Sequence, residues 1–500
     1  SVQYSAAMPL TPATAPVPSV ADNTATDMAL LGQPVGSLLR RQPVYAPLQA
    51  TAQQVAQIMQ DQGVSSVLLV EDGRLHGIVT DSDLRNRLLA KGLPADTPVV
   101  QLATMNPHTA QANEPLFKAL MTMARHDIHH LPVMHEDNVT GMLSTQSVTH
   151  WLSTSPVFLA STIHRQNDLA GLIHAAQTVP QLLARMAQNH ATAQSIGHVV
   201  TSITDAVTVR LLQMAETELG PPPVEYAWVA AGSQGRSEQT AQTDQDNCLV
   251  LADTYRATHH ADYFQALATR VCDGLNACGY VYCPGEMMAM NPTWRMSLSA
   301  WTQCFSHWIA QPDPKALMLT SVFFDLRAVY GQANLLSSLR QGVLAQAKGN
   351  GIFLAHLIRN ALSHTPPLGL WGRLQTARTG EHRGTIDLKH RGLVPIVDLA
   401  RVYALAGQVE AVNTMERLSH STQGGEVSVE GARDLLDTWA YLSDLRIQHQ
   451  RRQIERGEAP NNFLKPSELS NFERQHLKQA FATIATLQEA LGQRHQAGRL

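Results

Sequence analysis

Two aspartates, Asp244 and Asp246, stand two residues apart just before the apolar run Cys248-Leu249-Val250-Leu251. On an extended chain such residues point the same way, so both carboxylates address one spot. Paired carboxylates with open positions suit Mg²⁺ ions that bridge nucleotide phosphates. Upstream, the apolar run Tyr226-Ala227-Trp228-Val229-Ala230-Ala231 leads into Gly232-Ser233-Gln234-Gly235-Arg236-Ser237-Glu238. Gly232 lets the backbone come close to a triphosphate, and the amides of the turn and of the following helix start face the anion. Ser233 can donate to a phosphate oxygen, and Arg236 either neutralises charge on a leaving pyrophosphate or pairs with Glu238. A Gly-Ser pair alone is a weak signal, and so is a lone D-x-D. Together, between two apolar strands, they are a specific one.

The elements that must hold these groups follow from the hydrophobic pattern. Residues 155–223 read as a helical connector, with Leu169, Leu172 and Ile173, then Leu182, Leu183 and Met186, on helical spacing. A further run from Val199 to Met214 continues to Pro221-Pro222-Pro223, which ends it. The strand-turn-helix-strand segment then fills 224–312, and 313–500 reads as an all-helical bundle with long amphipathic stretches at 432–454 and 469–491. Residues 1–31 are rich in Ala, Pro and Thr, with no periodic apolar face, and are expected to form a disordered tail. The opening lacks the regions of a signal peptide, and it starts at Ser1 rather than Met, as in a processed chain or a fragment.

Between the tail and the connector lies an internal repeat. Val64-Ser65-Ser66-Val67-Leu68-Leu69-Val70 lines up with Ile128-His129-His130-Leu131-Pro132-Val133-Met134, and Gly77-Ile78-Val79-Thr80 with Gly141-Met142-Leu143-Ser144. Each copy reads helix, strand, tight turn (Asp72-Gly73; Asp137-Asn138), strand, helix. Two such copies bury each other's sheets, which explains why they come as a pair.

Composition limits the classes open to the chain. Its 500 residues call for several domains, and 37 Lys+Arg against 41 Asp+Glu give a formal net charge of -4. Nucleic-acid backbones and acidic membrane surfaces reward a basic excess, so neither is an expected partner. No apolar run reaches the ~18–20 residues of a membrane span. The five cysteines, Cys248, Cys272, Cys278, Cys283 and Cys304, lack CxxC spacing and read as free thiols in a reducing, cytoplasmic compartment. His129 and His130 read as surface or cleft-lining residues rather than metal ligands.

The repeat over residues 34–152 resembles a tandem CBS module. Gly77-Ile78-Val79-Thr80-Asp81-Ser82-Asp83 matches the G-h-h-T-x-x-D pattern of adenine-nucleotide sites in that family. The resemblance implies that Thr80 bonds a phosphate and Asp83 the ribose hydroxyls of AMP or ATP; the alternative is that Asp83 caps its helix. The second copy has Ser144 and Ser147 at these places, so the ribose-binding carboxylate is absent and at most one good site is expected.

The strand, Gly-Ser turn, helix and D-x-D strand resemble the nucleotidyltransferase fold shared with DNA polymerase beta. The fold class is therefore α/β multidomain: a tandem CBS pair, a polymerase-beta-like nucleotidyltransferase domain and a C-terminal helical bundle. Active enzymes of that fold usually add a third carboxylate. Glu286 and Asp325 are the candidates, though Glu286 beside Gly285 equally suits a turn and Asp325 equally suits pairing with Arg327. The resemblance extends over residues 34–500 to bacterial CBS-containing signal-transduction proteins with a nucleotidyltransferase domain and a C-terminal substrate-binding domain, related to PII-protein uridylyltransferases. Cys283-Pro284-Gly285, Met288-Ala289, Asn291-Pro292-Thr293-Trp294-Arg295 and Ile386-Asp387-Leu388-Lys389 fit that family. Lys389 and Arg446 then either face the triphosphate from across the cleft or form interdomain salt bridges.

This resemblance implies an Mg²⁺-dependent enzyme that moves a nucleoside monophosphate from a nucleoside triphosphate onto a protein or small-molecule hydroxyl, with the uridylyltransferase relationship pointing to a regulatory protein as acceptor. Adenine nucleotide on the CBS pair would regulate it, as befits signal transduction. The alternative is a catalytically inactive nucleotide sensor that binds and does not transfer. CBS pairs often associate through their helices, so a homodimer is also expected.

Overall fold

The computed structural model describes residues 33–39, 41–152, 156–241 and 243–497, and the expected tail at 1–31 lies outside them. The chain divides into two compact units, Ser1–Phe158 and Leu159–Leu500.

In the first unit the repeat is visible residue by residue. Strands β1 (Tyr45–Ala46), β2 (Ser66–Glu71), β3 (Arg74–Thr80) and β4 (Thr104–Met105) form one sheet. Strands β5 (Ala110–Gln111), β6 (His130–His135) and β7 (Asn138–Ser144) form the other. Ser66 pairs with Thr80 as His130 pairs with Ser144, and the register slips after Leu69 as it does after Val133. The helices Ala52–Gln62 and Leu116–His126 end alike, with Gly63 (φ 62) and Asp127 (φ 48) in the left-handed region. Asp72 (φ 51) and Gly73 (φ 75) make the first hairpin turn. The second turn falls on Glu136 (φ 55) and Asp137 rather than on Asp137-Asn138, because Asn138 already pairs with His135. Each copy buries its own apolar cluster, Val55, Val67, Leu69 and Val79 in one and Leu116, Leu131, Val133 and Leu143 in the other.

The second unit is organised by a four-stranded sheet in the order β10 (Arg295–Ser297), β9 (Asn247–Leu251), β8 (Tyr226–Ala230), β11 (Arg327–Gly331). β10 runs parallel to β9, and the other neighbours are antiparallel. Side-chain alternation splits this sheet between two cores. Tyr226, Trp228, Leu249 and Leu251 pack with the helices Val179–Gln188, Ala193–Leu219 and Ala257–Ala277. Ala227, Val229, Cys248 and Val250 pack with Leu298–Ala310, Ala333–Ala347, Val394–Ala406 and Val429–Glu455.

Two boundaries differ from the sequence expectation for the same reason. The stretch read as a connector over 155–223 supplies one face of the sheet's core, since Ile196, Val200, Ile203, Val207 and Leu211 are buried against it. Beyond residue 313 the chain returns to the sheet as β11, whose Gly331 (φ 86) sits so close to the Tyr226 carbonyl that a Cβ would be 2.1 Å away. The rest of the C-terminal region is helical, apart from an antiparallel pair, β12 (Ile386–Asp387) with β13 (Phe463–Leu464).

Candidate active site and nucleotide clefts

The acid pair sits at the mouth of β9. Parity carries Asp244 and Asp246 to the side of Cys248 and Val250, which faces the C-terminal helices. Gln245 and Asn247 turn the other way and anchor the backbone between them. The Gln245 amide donates to the Cys272 (2.8 Å) and Tyr280 (3.1 Å) carbonyls. Asn247 donates to Gln245 Oε1 (3.1 Å) and accepts from the Ala289 amide (2.8 Å). These two buried amides were not singled out from sequence; their alternation with the aspartates is the signal that could have found them.

Gly232 opens the helical turn that follows β8, directly beside the pair. Its φ is +58, and a Cβ there would lie 2.5 Å from Asp246 Oδ2. Glycine is thus required twice, for the left-handed backbone and for the approach of the carboxylate. The Ala231 amide donates to the Asp246 carbonyl at 2.9 Å, fixing turn and aspartate to each other. Ser233 is half-buried and lines a cavity of ≈ 50 Å³ with Arg236, Lys389 and Arg446. That volume admits water and is too small for a nucleotide.

Asp244, Asp246 and Cys283 bring one donor atom each within 4.8 Å of one another. Burial first, then the Asp244 charge, pushes the Asp246 carboxyl up to about 6, against a hydrogen bond from the Cys283 thiol. Burial and Asp246 push that thiol up to about 12. Two carboxylates in a partly desolvated cradle that a glycine leaves open are a donor set that fits Mg²⁺. The Lys389 ammonium stands 4.0 Å from Asp244 Oδ1. Burial, and then Arg446, pull its pKa down against the two aspartates. Lys389 is placed by β12, where Asp387 accepts from the Lys389 and His390 amides (both 3.1 Å) and faces the His390 ring at 2.8 Å. Arg446 donates to Asn462 Oδ1 at 2.7 Å, and burial pushes it down to about 10.

Neither candidate for a third carboxylate joins this group. Glu286 is exposed on a turn at φ +57, its amide bonded to the Cys283 carbonyl. Asp325 is 1% exposed and holds three arginines: Arg401 at 2.6 Å, Arg417 at 2.7 Å and Arg236 at 2.8 Å. Those guanidinium groups, Arg401 foremost, overcome burial and keep its carboxyl far below the usual range. Arg236 also bonds Glu238 at 2.9 Å, and Arg401 bonds Asp398 at 2.8 Å, so three arginines face three acids in one buried network. The Glu238 alternative for Arg236 is therefore realised, with Asp325 as a second acid. Arg327, the expected partner of Asp325, instead clamps Asp205 at 2.8 and 3.0 Å, and Asp205 in turn accepts from Gln234 at 3.0 Å.

In the CBS unit Thr80 and Asp83 form a reciprocal cap: the Asp83 amide donates to Thr80 Oγ1 (3.2 Å) and the Thr80 amide to Asp83 Oδ2 (2.9 Å). Arg87 stands 3.6 Å from the other oxygen. Ser144 and Ser147 bond in the same places, hydroxyl to hydroxyl at 2.9 Å. A cavity of ≈ 890 Å³ opens on this second-copy pair, lined by Val44, Ser65, His130, Ser144, Thr145 and Ser147 among others. His130 lines it as the sequence reading expects, 2.9 Å from Ser65 Oγ. Among the described residues no helix is long and apolar enough to cross a membrane.

Family comparisons agree with this layout. The "CBS domain" description matches residues 35–90 and 99–154. "Putative nucleotidyltransferase DUF294" matches 177–315, and "Putative nucleotidyltransferase substrate binding domain" matches 351–495. The CBS domain-containing protein YhcV of Bacillus subtilis is 32% identical over 94 residues, which are 19% of this chain and 67% of that protein. The meiotically up-regulated gene 70 protein of Schizosaccharomyces pombe is 33% identical over 105 residues, 21% of this chain and 14% of its own length. Among solved structures, an uncharacterized conserved protein from Pyrococcus horikoshii is 27% identical with a TM-score of 0.23, covering 24% of this chain and 92% of that one. The CBS domain protein PAE2072 from Pyrobaculum aerophilum, complexed with AMP, is 26% identical with a TM-score of 0.22, covering 24% and 98%.

Proposed function

The chain belongs to the CBS-domain proteins that carry a DUF294-type nucleotidyltransferase domain and its C-terminal substrate-binding domain, and from that premise we propose that it transfers a nucleoside monophosphate from a nucleoside triphosphate to an acceptor hydroxyl. The observation that carries this reading is the Asp244–Asp246 pair, backed by Gly232 and faced by Lys389 at 4.0 Å. Asp244 and Asp246 would hold Mg²⁺, which would supply charge neutralisation on the phosphates. The chain's own groups do the rest. Gly232 keeps the turn free of a side chain where the phosphate approaches, and the Ser233 hydroxyl donates to it. Lys389 adds a positive charge from the substrate-binding side, made stronger by its partial desolvation. Arg236, held by Glu238 and Asp325, fixes the turn rather than meeting the substrate.

The CBS pair is proposed as the regulatory input, taking an adenine nucleotide such as AMP or ATP, with Thr80 and Asp83 toward phosphate and ribose. A regulatory protein is the proposed acceptor, by analogy with the uridylyltransferases alone. Buried free thiols fit a cytoplasmic setting, and pairing of two CBS modules is the proposed route to a homodimer.

One observation favours a second reading: among the described residues the third corner of the acid pair is Cys283 and not a carboxylate. A site without that carboxylate can bind and not transfer. Incubation of the purified chain with labelled nucleoside triphosphates, Mg²⁺ and cell extract separates the two. Label transfer that disappears in Asp244→Asn/Asp246→Asn supports the enzyme; nucleotide binding without transfer to any acceptor supports the sensor.

A further inference from the structure

Asp325 ties together two clefts of the second unit. It bonds Arg236, which lines the small cavity at Ser233, at 2.8 Å, and it bonds Arg401 and Arg417 at 2.6 and 2.7 Å. Those last two arginines line a different cavity, of ≈ 400 Å³, which shares no lining residue with the first. Such a volume falls in the range of small-molecule sites, about 300–1,000 Å³. Its walls come from the end of the Ala333–Ala347 helix, the start of Gly351–Ser363 and the chain that leaves Val394–Ala406. Phe324, Leu344, Leu354, Leu405 and Val409 make those walls largely apolar. Arg340 supplies the charge. Arg236, Arg401 and Arg417 are answered by Glu238, Asp325 and Asp398. Arg340 has no such acid: among the described residues its guanidinium donates to the Leu326 carbonyl and joins no ion pair. Burial pulls its pKa down against Glu410 and Asp325, as for a half-buried cation short of a counter-ion. The exposed Lys348 and the positive end of the Gly351–Ser363 helix add the same sign.

We propose that this cavity is a second ligand site of the chain, for a small organic anion whose carboxylate or phosphate group pairs with Arg340 while its apolar body packs on Phe324, Leu344, Leu354 and Leu405. A guanidinium presents its donors in a planar fork, and Arg340 spends Nη2 on Leu326, which leaves Nε and Nη1 for the oxygens of one anion. Charge-assisted bonds of this kind are the strong ones. Arg401 and Arg417 are already committed to Asp325 and form a floor rather than a clamp. Glu410 is exposed, so solvent and salt screen it and it does not answer the Arg340 charge. A neutral molecule would leave that charge unpaired and a cation would oppose it, so the lining sets the sign of the ligand. The site is separate from the acid pair. Lys389, which faces Asp244, precedes the Val394–Ala406 helix, whereas the cavity opens at the far end of that helix, whose 13 residues span about 20 Å. Its floor arginines nevertheless share Asp325 with Arg236, so the ligand rests against the network that fixes the Gly-Ser turn.

The test uses the full chain and three probes built on one phenyl ring: benzoate, phenyl phosphate and benzylamine. Isothermal titration calorimetry follows their binding. At least one of the two anions is expected to bind, and benzylamine is not. Arg340→Gln should weaken the anion about tenfold or more, since it removes a charge-assisted bond. Ala345→Trp, at an exposed position of the lining, should fill the cavity and abolish binding. Lys389→Gln should leave the affinity unchanged. Tighter benzoate assigns the site to carboxylates, and tighter phenyl phosphate assigns it to phosphate esters. No binding of either anion, equal binding of benzylamine, or full binding in either cavity variant that keeps the wild-type melting temperature overturns the proposal. Loss of binding in Lys389→Gln also overturns it, by placing the anion at the acid pair. Where Arg340→Gln lowers the melting temperature, Ala345→Trp decides. None of these readouts depends on nucleotidyl transfer, so failure here leaves the transferase reading standing.

Discussion

Replacing Asp325 by asparagine keeps the shape of the most buried carboxylate in the second unit and removes its charge. The network around it then holds three arginines against two acids. Arg236 keeps Glu238 at 2.9 Å and Arg401 keeps Asp398 at 2.8 Å. Arg417, 3% exposed, keeps the Ala411 and Phe324 carbonyls and no acid among the described residues. Breaking a buried pair in this way costs about 3–5 kcal/mol, because an uncompensated charge stays in the interior. At about 3 kcal/mol per molar urea the midpoint for the second unit falls by about 1–1.7 M, and less if its larger surface steepens the slope. Far-UV circular dichroism through a urea titration reads this. Asp325 is also depressed by its arginines, so its contribution is whole above the unfolded value of about 3.9 and is lost as pH falls through the lower folded value. The gap between wild type and Asp325→Asn should therefore be constant at neutral pH and close only below about pH 4. If the variant unfolds within about 1 kcal/mol of wild type yet loses all nucleotidyl transfer, Asp325 is a catalytic carboxylate and the reasoning is wrong.

Two further substitutions probe the clefts. Gly232→Ala places a Cβ 2.5 Å from Asp246 Oδ2 on a backbone at φ +58, and is expected to weaken nucleoside triphosphate binding at least tenfold (~1.4 kcal/mol) with about 1–2 kcal/mol lost in stability. Calorimetric affinity equal to wild type would refute the proposed phosphate approach at this turn. Asp83→Asn keeps an oxygen for the Thr80 amide while removing the charge proposed to meet the ribose, so AMP binding to the full chain should weaken with little change in melting temperature. Unchanged AMP affinity leaves Asp83 a helix cap only.

The sequence was most legible where local chemistry and periodicity coincide. Thr80 and Ser144 each begin a helix after a strand, and the repeat offset carries this cap, the bulge and the left-handed turn from one copy to the next. Asp244 and Asp246 were legible because two-residue spacing on an extended chain has one geometric meaning. What was hidden depends on chain segments far apart. Arg417 lies 92 residues from Asp325, and Arg327 lies 122 from Asp205. Nothing in Phe324-Asp325-Leu326-Arg327 says that the neighbouring arginine turns away while three distant ones converge. The helices of 155–223 were legible as apolar-faced, but that they complete one core of the central sheet was not, because amphipathic periodicity shows that a helix has an apolar face and not what covers it.

The parity of the central sheet connects these two kinds of information. Along β8 and β9 every second residue belongs to one core and the alternate residues to the other. Asp244 and Asp246 continue the series Cys248 and Val250, so they are presented to the substrate-binding helices, where Lys389 waits. Gln245 and Asn247 continue the series Leu249 and Leu251, so they bury their amides on the opposite side and hold the strand still. A slip of one residue would bury both carboxylates among Phe264, Val271 and Leu275 and expose both amides. The hydrophobic pattern that fixes the register therefore also fixes the chemistry, and the C-terminal region must lie on the face it occupies for its lysine to reach the acid pair.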